Sequence, residues 1–472
     1  VTIEAWRWSA SEAVAALRAG EVGPLDLVDA AAARIAEVDP LVNAVPTLCL
    51  DRARDHARRL QSIEPAARGP LAGLPVVIKD LVEVAGVRTT HGSPIFAQNV
   101  PTWSDYPVER IEAAGGIVLG KSNTPEFGAG ANTFNEVFGA TRNPWDTRLT
   151  CGGSSGGSAV ALATGMAWLA DGSDLGGSLR TPAAYCSVVG LRPSPGLVAQ
   201  GPQADPFQTL AVEGPMARDV RDLGLLLDVM AGHDERDPLT WPSGQPGFAA
   251  AAARPVLPPR AAISVDLGGI TPVDARIERV FRAAVDRIVA AGVRIVEASP
   301  DFGPVVETFT TLRALHFVTN LEPILQQHRD QLKPEVVWNI ERGLDMRAAE
   351  IGTALRERGL LQRRVASFLG EHDVLLCPTT IVPPFPVEQR YVERVGEHRF
   401  ASYVDWLTIV YAITLSGCPA LSLPCGFTDD GLPVGMQVVG RPRGEAKLLA
   451  TAAALEEVLG LAGRVPMTPC RS

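Results

Sequence analysis

The chain has 472 residues, 46% hydrophobic and 20% charged, with a formal net charge of −10. Charges of both signs are scattered along it, which argues against a basic stripe for nucleic acid and against an acidic solvated arm. The longest apolar run, near residues 406–415, is too short to span a membrane, and the start VTIEAWRWSASEAVAALRAG lacks the basic end and apolar centre of a signal peptide.

In chain order, Ser9-Ala-Ser-Glu12 has the form of a helix capping box ahead of an amphipathic run that stops at Gly20. A second helix is expected over 24–38, ending before Pro40. Val76-Val77-Ile78 is a short β-branched run that reads as a buried strand, with Lys79 just after it. Residues 111–120 give a helix end, a turn and a strand. Residues 158–170, SAVALATGMAWLA, are read as a small-residue helix following a glycine-rich loop. Strand-like runs recur at 261–265, 293–296 and 374–377, alternating with helices. PALSLPCGF and LPVGMQVVG read as two strands around a turn at Asp429-Asp430-Gly431, and a last helix covers about 446–459.

This alternation predicts an α/β fold with helices on both faces of a sheet. Length alone gives a prior of about three units of roughly 150 residues, but no repeat or break divides the chain. The Pro/Gly/Ala-rich stretch 234–260 is expected to be a long surface connection within a single domain, 1–472. Seven dispersed cysteines form no CxxC pair, which fits a reducing, cytoplasmic compartment. Cys418 and Cys425 sit in an apolar setting and read as buried, inert thiols, so no metal site is expected.

The polar candidates for chemistry are concentrated between residues 73 and 182. They are Lys79 at a strand end, the loop CGGSSGGS at 151–158, and GSDLGGSLRTP at 172–182. Taken alone, the lysine reads as solvated and the loop as flexible or as a phosphate cradle; no GK[ST] follows, so it is not a P-loop. Gly152-Gly-Ser154-Ser-Gly156 also spells G-x-S-x-G, the nucleophile elbow of α/β-hydrolases. That elbow needs a buried strand before it and a partner histidine. Here the polar NPWDTRLTC precedes it, and His233, His372 and His398 stand in polar segments without a supporting motif.

The stretch 152–182 resembles the signature of the amidase signature family along its whole length, and GLPVVIKD at 73–80 resembles the family's lysine segment. Similarity continues in FGATRNPWD at 138–146, GLRPSPG at 190–196 and GLPVGMQVVG at 431–440, so it covers nearly the whole chain, with its core at about 73–196. The resemblance implies an amidase signature fold with a large mixed central sheet. It implies a Ser–Ser–Lys triad working without cofactor or metal. Ser178 would be the nucleophile, Lys79 the base, and Ser154, after a cis peptide bond, the bridge between them. Backbone N–H groups of Leu175, Gly176, Gly177 and Ser178 would form the oxyanion hole, with Asp174 and Arg180 bracing that turn. Ser155 and Ser173 would either bond Lys79 or Ser154 or satisfy loop amides. A lysine can accept a proton only when neutral, and its ordinary pKa is about 10.4, so the site must favour the uncharged amine.

Gly128, Ala129 and Gly130 fall where relatives line the acyl pocket. One subgroup, the glutaminase component of a tRNA-dependent amidotransferase, carries arginine in a segment resembling PEVKRRI. This chain has PEVVWNI at 334–340, with Trp338 and Asn339 in its place, which removes a bidentate carboxylate grip. Asp405 matches an acid that would hold an α-amino group, which points the other way. The expectation is a stand-alone hydrolase of uncharged aryl or alkyl amides, open also to carbamates and esters, with the amidotransferase component as alternative. Trp338, Trp406 and Tyr411 are each read as substrate wall or core. A small-molecule substrate is expected, with no nucleic acid or membrane partner; relatives imply a homodimer by analogy.

Overall fold

The computed structural model describes residues 4–244 and 247–470. Eleven strands form one sheet. In chain order they are β1 (Thr47–Leu48), β2 (Pro75–Lys79), β3 (Ile117–Ser122), β4 (Leu169–Asp174), β5 (Val189–Arg192), β6 (Val212–Ala217), β7 (Arg260–Ile263), β8 (Arg294–Glu297), β9 (Val374–Pro378), β10 (Ala420–Phe427) and β11 (Pro433–Val439). Their order across the sheet is β1-β3-β2-β4-β6-β5-β10-β11-β9-β7-β8. β2 runs parallel to β3 and β4, β7 is parallel to β8 and β9, and antiparallel pairs join the two parallel groups. The sheet is therefore mixed, with helices on both faces. β2 and β9 are buried along their whole length, as strands covered on both faces must be.

The helices used below are α1 (Ala10–Ala19), α2 (Pro24–Val42), α3 (Gly156–Ala163), α4 (Arg180–Cys186), α5 (Val305–His328), α6 (Pro334–Leu344) and α7 (Glu445–Leu459). The capping box before α1 forms reciprocally between Ser9 and Glu12. α2 does not stop before Pro40. Proline in the last turn forfeits one N–H bond, and the helix closes at Asn43, whose N–H bonds Asp39 O at 2.7 Å in a left-handed conformation. The small-residue helix is shorter than expected. Gly165, at φ +71°, follows the end of α3, and Leu169 and Ala170 open β4 instead. The run LADGSD has no β-branched residue, so local preference hid a central strand that its neighbours impose. Within 234–260 a short helix, Phe248–Ala252, packs its buried Phe248 and Ala252 into the core.

Candidate active site

β2 ends in Lys79, which lies wholly buried, with β2 flanked by β3 and β4 in the sheet. Its main-chain N–H donates to Asp171 Oδ1 at 2.6 Å, tying the strand end to β4. Its Nζ lies 2.7 Å from Ser154 Oγ, 2.9 Å from Ser155 Oγ and 2.8 Å from Ser173 Oγ. Ser173 belongs to β4. Ser154 and Ser155 sit in the loop that leads into α3, where Gly152 takes φ +75° and the Gly153–Ser154 peptide is cis. A Cβ at Gly156 would collide with Thr133 Oγ1, so the loop lies this close to Thr133 only with glycine there, and a Cβ at Gly153 would sit tightly, 3.0 Å from the same atom. No strand of the main sheet leads into this loop, and among the described residues no histidine bonds Ser154. The α/β-hydrolase constellation is thus not assembled.

The second loop, between β4 and α4, turns on Asp174. Its carboxylate accepts from Gly177 N–H at 2.9 Å, Leu179 N–H at 3.2 Å, Arg180 Nε at 3.0 Å and Arg180 Nη2 at 2.9 Å. Arg192 Nη1 donates to the Asp174 carbonyl. Burial raises the Asp174 carboxyl, but Arg180 and Arg192 outweigh it and hold the group well below the usual carboxylate range. Ser155 N–H donates to Ser178 O at 3.2 Å and locks the two loops together. Ser178 then lies half-buried on the wall of a cavity of about 250 Å³, together with Ser154, Ser173, Leu175 and Gly176. Gly177 is different. Its N–H is directed into the turn, onto Asp174, so it drops out of the four amides expected to face an oxyanion; Leu175, Gly176 and Ser178 line the cavity.

Of the expected substrate pocket, Gly128 and Gly130 line the cavity and three residues do not. Ala129 packs into a separate apolar cluster with Phe317 and Val336, and its carbonyl accepts from Lys333 Nζ. Trp338 stacks edge-on against Tyr403, ring centres 5.6 Å apart. Asn339 is fully buried behind the wall, where its amide bonds Arg313, Tyr403 and Glu335 O. Trp406 and Tyr411 are core residues; Tyr411 stacks 4.0 Å behind Phe309, which does reach the cavity. Asp405 accepts from Ser402 and does not line the cavity.

The wall that sequence reasoning missed comes mainly from α5 and β6. Phe309, Arg313, His316, Phe317 and Asn320 recur along one face of α5, and Glu213 stands on β6 opposite Ser173 of β4. The helical spacing of 309, 313, 316, 317 and 320, with a charge set among apolar residues, was the available signal. Glu213 Oε2 is buried with no partner among the described residues.

Electrostatics follow from burial. Burial lowers Lys79 from its ordinary 10.5 to about 8, against the opposing pull of Glu213, Asp171 and Asp174. Burial raises Glu213 well above the usual carboxyl range, and Asp171 adds to it. His316 is lowered to about 4 by burial and by Arg313, so it is a neutral imidazole near pH 7. The thiols of Cys418 and Cys425 are pushed up to about 11 and about 12 by burial, which makes them inert. Among the described residues no cluster of His, Cys, Asp or Glu is arranged to hold a metal ion, and no helix is long and apolar enough to cross a membrane.

A buried lysine ringed by serines stands beside two glycine-braced loops on a mixed α/β sheet. The family model described as Amidase matches residues 26–449, and the chain belongs to the amidase signature family. It is similar to an acylamidase from Rhodococcus erythropolis, 34% identical over 468 residues, covering 97% of each chain. It is similar also to one component of the glutamyl-tRNA(Gln) amidotransferase from Prochlorococcus marinus, 34% identical, covering 95% of this chain and 97% of that one. Among solved structures, a bacterial aryl acylamidase of the same family superposes with a TM-score of 0.91 at 26% identity, covering 98% of both chains. The chain is accordingly a hydrolase of amide bonds.

Proposed function

We propose that the chain hydrolyses small-molecule amides by itself, through an acyl-enzyme on Ser178, with Lys79 as base and Ser154 as proton bridge. One observation carries this reading: the wholly buried Lys79 Nζ is within 2.9 Å of three serine hydroxyls, and Ser154 shares a cavity with Ser178. A neutral amine has two N–H donors and one lone pair. With Ser155 and Ser173 accepting the donors, the lone pair is left for the hydroxyl proton of Ser154. As Ser178 Oγ attacks the carbonyl, its proton passes to Ser154 Oγ and the Ser154 proton passes to Lys79 Nζ. The carbonyl π electrons move to oxygen, which receives the N–H groups of Leu175, Gly176 and Ser178. Collapse breaks the C–N bond, and the relay run backwards delivers the proton to the departing nitrogen. Water then releases the acyl group by the same steps.

Asp174 and Arg180 hold the turn and stay clear of substrate. Phe127, Phe309 and Phe317 on the cavity wall suit an aryl or alkyl group. Carbamates and esters present the same carbonyl and are weaker tests of the leaving-group proton. Five buried free thiols, Cys151, Cys186, Cys377, Cys418 and Cys425, fit a reducing, cytoplasmic setting.

A fluorophosphonate should label Ser178. Ser178→Ala and Lys79→Ala should each abolish anilide turnover, and Ser154→Ala should reduce it severely. Labelling at Ser154 instead would defeat the assignment. The 34% identity to an amidotransferase component favours a second reading, a glutaminase that works only in complex. The purified chain separates the two: turnover of p-nitroanilides but not glutamine by the chain alone supports the stand-alone enzyme, and no turnover of either until a partner is added supports the complex-bound glutaminase.

A further inference from the structure

Arg313, on α5, is 7% exposed and lines the same cavity as Ser154 and Ser178. Its Nε donates to Asn339 Oδ1 at 3.0 Å and its Nη2 to Tyr403 Oη at 3.1 Å. The guanidinium lies over the Phe317 ring, 4.6 Å from its centre. Every one of these partners is neutral. Among the described residues no carboxylate forms an ion pair with Arg313, and its Nη1 has no protein acceptor. Glu213, the carboxyl on the cavity wall, makes no hydrogen bond or ion pair to Arg313 and is pushed well above the usual carboxyl range by burial, and neighbouring His316 is neutral. A nearly buried cation without a counter-ion is costly, and an anion from outside the chain would complete such a site.

The hydrogen-bond polarity points the same way. Asn339 Oδ1 accepts from Arg313, which fixes the amide so that Nδ2 donates to Glu335 O and to Tyr403 Oη. Tyr403 Oη thus accepts from both Arg313 and Asn339, and both its lone pairs are engaged. What remains free on this wall is the Tyr403 O–H and the Arg313 Nη1 group: donors, with no acceptor between them. Tyr403 also lines the cavity. Position 339 lies in the segment whose lack of arginine led to the expectation of an uncharged substrate. Here that segment contributes the amide that aims a guanidinium supplied by α5.

We propose that Arg313, with Tyr403, is the specificity determinant for a carboxylate on one arm of the substrate, so that the preferred substrates are amides carrying an acid group away from the scissile bond. This rests on the reading of Ser178 as nucleophile. Asn339 is a positioning residue that orients the guanidinium.

The test compares carboxylate amides with neutral isosteres on each arm: succinanilate against its primary amide for the acyl arm, and 4-acetamidobenzoate against 4-acetamidobenzamide for the amine arm. For one of the pairs, kcat/KM should favour the carboxylate by about tenfold or more, the range of a hydrogen bond to a charged group. In R313M that ratio should fall to about one, and R313K should keep part of it, because a point charge replaces a planar fork. Y403F should lower the ratio less. Melting temperatures of the variants report whether they fold. As a readout independent of turnover, 4-phenylbutyrate should slow fluorophosphonate labelling of Ser178 more than 4-phenylbutanamide does, and R313M should remove the difference. Equal rates within both pairs, with equal protection by the two ligands, would overturn the proposal. A ratio that persists in R313M while both rates fall would make Arg313 merely structural. Failure of Ser178 to react with the fluorophosphonate at all would remove the hydrolase assignment, and this proposal with it.

Discussion

Lys79→Arg separates the positive charge at the end of β2 from its capacity to take a proton. Lys79 is wholly buried, and its pKa falls from 10.5 to about 8. At ~1.36 kcal/mol per pH unit, this fall biases the amine toward its neutral form by about 3 kcal/mol. At pH 7 about one enzyme in ten then holds a neutral amine, against about one in 3,000 for an unshifted lysine. The acid limb of kcat/KM on an anilide should therefore rise tenfold per pH unit and level off near pH 8. Arginine keeps the charge but is never neutral, so the variant should lose about a hundred- to ten-thousand-fold in rate, the range for general base catalysis. The same shift acts on stability with a definite sign. The folded pKa lies below the unfolded one, so between about pH 8 and 10.5 the unfolded chain binds more protons and stability rises with pH. Lys79→Met should accordingly melt higher than wild type at pH 7 while being inactive, with the gain fading as pH approaches 10.5. Stopped-flow acylation over pH, read beside thermal melts, covers both claims. An arginine variant within tenfold of wild type, or a flat pH profile, would refute the assignment of Lys79 as base.

Three further outcomes are expected. Glu213→Gln removes the carboxyl whose ionised form supports the lysine cation, so the acid limb should move to lower pH; an unmoved limb would show that the two groups do not interact. Asp174→Asn leaves Arg180 and Arg192 buried without their carboxylate and should cost about 3–5 kcal/mol in urea unfolding. Because the folded Asp174 pKa is depressed, its contribution is present above the ordinary carboxylate pKa of about 3.9. It is lost as pH falls below that, so the gap between variant and wild type should narrow in acid. Gly128→Ala would force φ +68° on alanine and set a Cβ 3.0 Å from Leu81 Cδ1 and 3.4 Å from Ser154 Oγ. It should cost about 1–2 kcal/mol in backbone strain and lower kcat by displacing Ser154; an unchanged kcat would show that this loop does not constrain the serine.

The two glycine-rich loops around Lys79 were legible because their chemistry is local. The glycines at 152, 156 and 177 mark places where a Cβ would clash or force a left-handed backbone, and a buried strand ending in a lone lysine is a short, readable pattern. Gly177 shows the limit of that legibility. Its place in the motif suits an oxyanion donor, yet Asp174 takes its N–H, and only the folded turn reveals which way the amide points. Gly128 and Gly130, at φ +68° and +95°, line the cavity, while Ala129 between them packs into a separate apolar cluster.

What the sequence by itself determined is thus the α/β layering, the family, and the group of serines that meets Lys79: strands, glycine turns and a long gapped motif are properties of contiguous residues. What only the tertiary structure decided is the wall facing that group. Arg313 of α5, Asn339 of α6, Tyr403 and Glu213 of β6 are far apart in the chain, and each has an ordinary local setting. Helical spacing shows that a face of α5 is covered, without showing whether core or cavity covers it. Nor can spacing reveal that a guanidinium lacks a counter-ion. That depends on every side chain brought against it from other elements, and such a sum exists only once the chain has folded.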